Sequence, residues 1–327
     1  APAAKDEASK EEAAAPADDA EEVEAADVAA TGDAADDGTY YMITFASGIQ
    51  YWQGCWAGMQ AAAAELGVNV EFTGATEADY VQETEVLEQV VAKQPAGILV
   101  TPANGDGMQD AIDKAMDAGI PVVCFDSDST NSKRYSYVGT NGYNAGAAVA
   151  KEMAEAIGHK GSVAVVLFPG LQNQEDRAQG FEEYMAANEP DIKVLERANG
   201  GQNENEAAAA TASLITANPD IAGIFAVTAW TGLGSGQAIE EAGKTDQICC
   251  ISFDTDEGVL DYIENGVLYG SCAQGTQQMG YWGLYFLYAI NHECVIPGWA
   301  DKGIAPVPPT VDTGVSIVKK GFTDFYG

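Results

Sequence analysis

The chain has 327 residues, enough for about two domains at roughly 150 residues each. Apolar residues make up 46% and charged ones 20%, ordinary values for a globular protein, but 50 acidic against 15 basic side chains give a formal charge of −35. Such a field repels phosphate backbones and anionic headgroups, which argues against nucleic acid and membrane surfaces as partners.

The acid is unevenly spread. Residues 1–38 hold 15 alanines, 13 Asp or Glu, two Lys and no aromatic. A stretch of that kind cannot bury enough apolar surface to offset its chain entropy, and it has no apolar stripe with which to dock a helix. The expectation is a solvated tether that suits a processed chain held at a surface by its first residue, as a lipoprotein is. Ala1-Pro2-Ala3 opens directly into polar sequence, so no cleavable signal is read there. The longest apolar stretch, 279–290, is too short to span a bilayer.

From Tyr40 onward short apolar runs alternate with amphipathic stretches. The runs 41–46, 68–72, 97–101 and 120–125 are predicted strands, separated by helical patterns at 52–66, 80–92 and 108–118. In 80–92, Val81, Val86, Leu87, Val90 and Val91 share a face. The rhythm restarts with strands at 162–168, 192–195, 221–227 and 248–253 and helices at 175–187, 204–217 and 233–242. A strand at 268–273, a helix at 275–290 and a strand at 315–318 complete the pattern. Near-continuous apolar strands between helices mean parallel sheets covered on both faces, so the expected fold is α/β with two doubly wound, Rossmann-like lobes. The predicted division is 1–38 as tether, 39–140 plus 275–309 as one lobe, and 141–274 plus 310–327 as the other. The chain would then cross between lobes near Thr140, near Gln274 and between Val307 and Thr313, a three-strand hinge.

Cys55, Cys124, Cys249, Cys250, Cys272 and Cys294 form no Cys-x-x-Cys pair and have no histidine at ligand spacing, so no zinc site is expected. Those inside apolar strands read as small core hydrophobes.

Ligands of open parallel sheets bind beyond the carboxyl ends of the strands. Those ends carry Phe45-Ala-Ser-Gly-Ile-Gln-Tyr-Trp52, then Asp126, Arg177 just inside a helix, Thr228, Asp254 and Gln274. Each has a plainer use: an Asp at a strand end caps helices, Tyr51 and Trp52 suit a core, and Arg177 suits a solvated helix face. Together they match a polyhydroxylated ligand. Carboxylates and amides bridge neighbouring hydroxyls, Arg donates as a planar fork, and flat rings cover C–H faces.

On these residues, and on Gly97-Ile-Leu-Val-Thr-Pro-Ala-Asn104, Gly119-Ile-Pro-Val-Val-Cys-Phe-Asp126, Arg177-Ala-Gln-Gly-Phe181 and Ile251-Ser-Phe-Asp254, the chain resembles the ribose/galactose-type (type I) periplasmic solute-binding proteins of sugar ABC importers. The resemblance runs from about Tyr40 to the end. It implies ligand contacts from Phe45, Tyr51, Trp52, Asp126, Arg177, Gln202, Thr228, Asp254 and Gln274, with Asp126, Arg177 and Asp254 matching best. It also implies a monosaccharide ligand, a membrane ABC permease as partner, a monomer, an extracytoplasmic location and no cofactor. Asp126-Ser127 stands where ribose binders carry Asp-Arg, and Thr228 where they carry Asn. Gly74-Ala-Thr-Glu-Ala-Asp79 is more like the rhamnose and autoinducer-2 binders, so a receptor for a small furanose-like signal is the alternative.

An enzyme is not expected. His159 and His292 both read as surface residues, and neither a Gly-x-Ser-x-Gly elbow, a Walker loop nor His-Glu-x-x-His occurs. Gly232-Leu-Gly-Ser-Gly236 lacks dinucleotide spacing, and Asp254-Thr-Asp-Glu-Gly258 lacks the distant Glu of a calcium loop. A sugar-responsive repressor would need a basic helix-turn-helix where the acidic segment stands.

Overall fold

The computed structural model describes residues 38–325, so the expected tether lies outside the described residues except for Gly38. The first lobe runs β1 (Thr39–Thr44), α1 (Tyr51–Leu66), β2 (Asn69–Gly74), α2 (Tyr80–Ala92), β3 (Gly97–Thr101), α3 (Gln109–Asp117), β4 (Val122–Phe125) and β5 (Ser136–Gly139). The second runs α4 (Gly142–Ala156), β6 (Gly161–Leu167), α5 (Gln172–Asn188), β7 (Ile192–Val194), β8 (Ala198–Asn199), α6 (Glu204–Ala217) and β9 (Ile221–Ala226). It continues through α7 (Ala229–Glu241), β10 (Cys249–Phe253), α8 (Glu257–Glu264) and β11 (Gly270–Gln274). The chain then returns to the first lobe with α9 (Thr276–Asn291), α10 (Trp299–Lys302) and β12 (Thr310–Asp312), and ends in the second with β13 (Val315–Lys319).

The two sheets have the same plan. The first is ordered β2-β1-β3-β4-β5-β12 and the second β7-β6-β9-β10-β11-β13, with β8 also pairing β6. Pairing is parallel throughout except at β13, which runs antiparallel to β11. β3 and β4 are buried along their whole length because helices cover both faces, which is why their sequences are apolar without alternation. Each fully buried Ile or Leu there contributes about 1.5–3 kcal/mol. The strand order reverses at β1 and at β6, and such switch points open a crevice at the carboxyl ends.

Several elements depart from the sequence reading. β5, α4, β8, α8, α10 and β12 were not anticipated. α4 is the largest of these, and its start, Gly-Tyr-Asn-Ala-Gly-Ala-Ala, carries almost no apolar periodicity. Its packing explains the composition: a Cβ on Gly146 would lie 1.9 Å from the Arg177 carbonyl oxygen, so α4 and α5 pack backbone to backbone. The expected boundary at 309/310 is corrected, because Thr310–Asp312 pairs with β5 in the first sheet. The third crossing therefore falls at Thr313 and Gly314.

The first and third crossings are laced together. Thr313 N–H donates to Gly139 O at 3.0 Å. The Asp312 carboxylate accepts from Asn141 N–H at 3.0 Å, Gly314 N–H at 3.0 Å and Asn144 Nδ2 at 2.8 Å, thus tying β12 to the start of α4. Burial pushes the Asp312 carboxyl up, but these donors outweigh it and hold it below the usual range.

Glu83, near the start of α2, is fully buried. One oxygen accepts the Ala103 N–H at 2.8 Å and the other is buried with no partner. Burial pushes its carboxyl up to about 8, with the Ala103 bond opposing. The folded chain thus holds a proton that the unfolded chain has released. This contribution to stability is fully present below the ordinary carboxylate range and is lost as pH rises through about 8. Glu83→Gln keeps the acceptor for Ala103, so its melting temperature should overtake that of the unmodified chain as pH climbs from 5 to 9. A pH-independent difference would show that Glu83 does not titrate on unfolding.

Candidate functional site

The carboxyl ends of the two sheets supply matched aspartates. β4 ends in the fully buried Phe125 and β10 in the fully buried Phe253, and the next residue in each is an aspartate. Asp126 (φ 57°) and Asp254 (φ 67°) both adopt the left-handed backbone conformation, which Asp tolerates better than most residues. Around Asp126 the chain closes a three-residue turn, with Ser127 N–H donating to Phe125 O at 2.6 Å.

Each carboxylate is held by neighbours of its own lobe. Asp126 accepts from Tyr51 Oη at 2.6 Å, Ser127 Oγ at 3.3 Å and Thr101 Oγ1 at 3.5 Å. Asp254 accepts from Gln274 Nε2 at 2.7 Å. Arg177 of α5 lies between them electrostatically, lowering both carboxyls, while Asp126 raises Asp254 across the lobes. Burial is the largest influence on each and wins, so both stand above the usual carboxylate range. The Tyr51 hydroxyl is pushed well up by burial and then by Asp126 and Asp254.

Arg177 is itself 7% exposed. Its guanidinium carbon stands 3.5 Å from the Phe253 ring centroid, Nη1 donates to Val227 O at 2.8 Å, and Nε is buried without a partner. A buried guanidinium with an idle Nε, within electrostatic reach of two carboxylates, suits a ligand rich in hydroxyl groups.

Tyr51, Asp126, Arg177, Asp254 and Gln274 come together in this way, and Phe45 flanks them, its ring 5.2 Å from Trp52 at 86°. Trp52 sits beneath them. It is 1% exposed, gives its indole N–H to Phe45 O at 3.0 Å, and packs edge-on against Tyr51 and Phe125. Thr228 is buried as the N-cap of α7, its hydroxyl occupied in a reciprocal capping box with Thr231. Gln202 is exposed in the turn after β8, and its N–H is engaged by Glu206 at 2.9 Å. Thr101, Ser127 and Phe253 belong to the cluster but were not singled out from sequence. Thr101 ends a strand, and Phe253 precedes an aspartate, so position alone could have found both. His159 pairs with Glu189, its Nδ1 standing 2.9 Å from the carboxylate.

The family described as Periplasmic binding protein domain matches residues 40–293. The chain belongs to that family. It is a family of extracytoplasmic solute-binding proteins rather than enzymes. Among curated relatives, the D-apiose import binding protein of Actinobacillus succinogenes is 25% identical over 76% of this chain and 78% of its own length. Among solved structures, the sugar-binding protein of a sugar ABC transporter from Bacillus halodurans is 41% identical, covering 89% of this chain and 100% of that one, at a TM-score of 0.86. AraP, an arabinose binding protein from Geobacillus stearothermophilus, is 39% identical over 89% and 99%, also at 0.86. Among the described residues of this member, no helix is long and apolar enough to cross a membrane.

The layering of Tyr51 over Trp52 separates recognition from support. Tyr51→Phe should leave the melting temperature nearly unchanged while weakening ligand binding, since only the bond to Asp126 is lost. Trp52→Ala should destabilise the fold by about 3–5 kcal/mol, the cost of emptying a buried aromatic site. Chemical denaturation of both variants checks this, and equal stabilities would contradict the layering.

Proposed function

We propose that this chain takes a neutral monosaccharide between its lobes and delivers it to the membrane permease of an ABC importer. The observation that carries the reading is that Arg177, seated on the Phe253 ring next to Asp254, acts electrostatically on Asp254 and also on Asp126 of the other lobe. A sugar hydroxyl can donate to a carboxylate and accept from the guanidinium at once, so one small ligand satisfies groups of both lobes. Phe45 and Tyr51 provide ring faces beside them. The sugar-binding relatives support the same substrate class, and their partners support the permease.

Two carboxylates against one guanidinium leave the site acceptor-rich, so sugar acids and sugar phosphates should be rejected. The acidic segment before Gly38 has the composition of a spacer, and we assign it the role of holding the lobes near the membrane.

A thermal-shift panel of neutral monosaccharides, with arabinose, ribose, apiose, allose, xylose and galactose beside gluconate and ribose 5-phosphate, tests the class. At least one neutral sugar should raise the melting temperature and the two anions should not. Asp126→Ala, Arg177→Ala and Asp254→Ala should each weaken binding of the active sugar by about 2 kcal/mol or more, roughly thirtyfold in Kd, because each leaves a polar partner unpaired. Near-unmodified affinity in any two of the three would place the site elsewhere.

A further inference from the structure

Asp126 and Asp254 are aimed by backbone that most residues avoid, and in both lobes the next strand holds that backbone from two sides. The peptide before each aspartate is fixed through its N–H: Asp126 N–H donates to Val138 O at 3.2 Å, and Asp254 N–H to Cys272 O at 2.9 Å. The peptide after each is fixed through its carbonyl. Tyr137 Oη donates to Asp126 O at 2.7 Å, and Ser271 Oγ to Asp254 O at 2.5 Å. The registers are equivalent. Phe125 pairs with Val138 and Phe253 with Cys272, and the hydroxyl comes in each case from the residue just before that partner.

We propose that Tyr137 and Ser271 are positioning residues, each setting the direction of one site carboxylate through its main-chain carbonyl. Gly139 is the notch that lets Tyr137 do so. Tyr137 must fold its ring along β5 to reach Asp126 O, and a Cβ at 139 would stand 2.2 Å from Tyr137 Oη and 2.4 Å from Cζ. Side chains two apart on a strand share a face, so only glycine at 139 leaves room for the ring. Without the hydroxyl, the peptide after the aspartate can rotate, and a residue held in the disfavoured left-handed region gains an easy route to ordinary geometry. The carboxylate would swing with it.

The proposal rests on the reading of Asp126 and Asp254 as ligand contacts, and double-mutant cycles separate the two. The probe is the panel monosaccharide with the largest thermal shift on the unmodified chain, titrated by calorimetry. Tyr137→Phe, Gly139→Ala and Ser271→Ala should each raise Kd about tenfold, the loss expected for one hydrogen bond that orients a contact, with melting temperatures within a few degrees of the unmodified chain. Ser271→Thr, which keeps the hydroxyl, should restore binding. The deciding result is coupling. Tyr137→Phe should add nothing to Asp126→Ala yet multiply with Asp254→Ala, and Ser271→Ala should show the reverse pattern. Should one of these variants fail to fold, the cycle in the other lobe decides. Equal weakening by Tyr137→Phe with and without Asp126, or unmodified affinity in both hydroxyl deletions, would overturn the positioning role. Unmodified affinity in Asp126→Ala and Asp254→Ala would instead overturn the site reading, and the positioning role with it.

Discussion

A guanidinium taken out of water must find compensating charge, and that requirement organises this molecule. Arg177 is held on one side by the Phe253 ring, whose face attracts the cation, and by the Val227 carbonyl, which takes one of its donors. The charge is answered by Asp254 of the same lobe and Asp126 of the other. Because desolvation penalties exceed the gain from imperfect pairing, such a cluster is a poor way to stabilise a fold and a good way to wait for a ligand. A molecule with several hydroxyls supplies the missing bonds on both sides at once.

The two lobes build their halves of this site by the same means. In each, a buried Phe ends the fourth strand counted across the sheet from β2 or β7, an aspartate follows in the left-handed region, and the neighbouring strand supports it. Arg177 depends on a further device. α5 can bring it to the crevice only because Gly146 lets α4 approach at backbone distance. On the proposed reading, recognition rests in part on residues that never meet the ligand.

Much of this was legible in the sequence because parallel strands buried on both faces leave an uninterrupted apolar signature. β3, β4, β6 and β10 announce themselves in that way, and Asp126 and Asp254 stand out as the first charges after β4 and β10. α4 was invisible for the opposite reason: its contact face is made of small residues whose role appears only against α5. β12 is three residues long and largely exposed, so its pairing with β5 is a tertiary fact without a local pattern. Trp52 and Thr228 show a different limit. Sequence places them at the crevice, but whether a polar atom faces the ligand or its own backbone depends on hydrogen bonds that only the folded chain displays.

Asp126 belongs to one lobe and Arg177 and Asp254 to the other, and on the proposed reading a ligand that touches all three draws the lobes together. The three crossings at Thr140–Asn141, Gly275 and Thr313–Gly314 are the only covalent links between the described parts of the two lobes, and a ligand touching both sides shifts the population toward the closed form by its differential contacts. Small-angle X-ray scattering on the chain with and without a saturating concentration of the panel's active sugar tests this claim most directly. The account predicts a smaller radius of gyration with the sugar bound. An identical radius in both states would contradict it, and would mean that the lobes meet their ligand without moving.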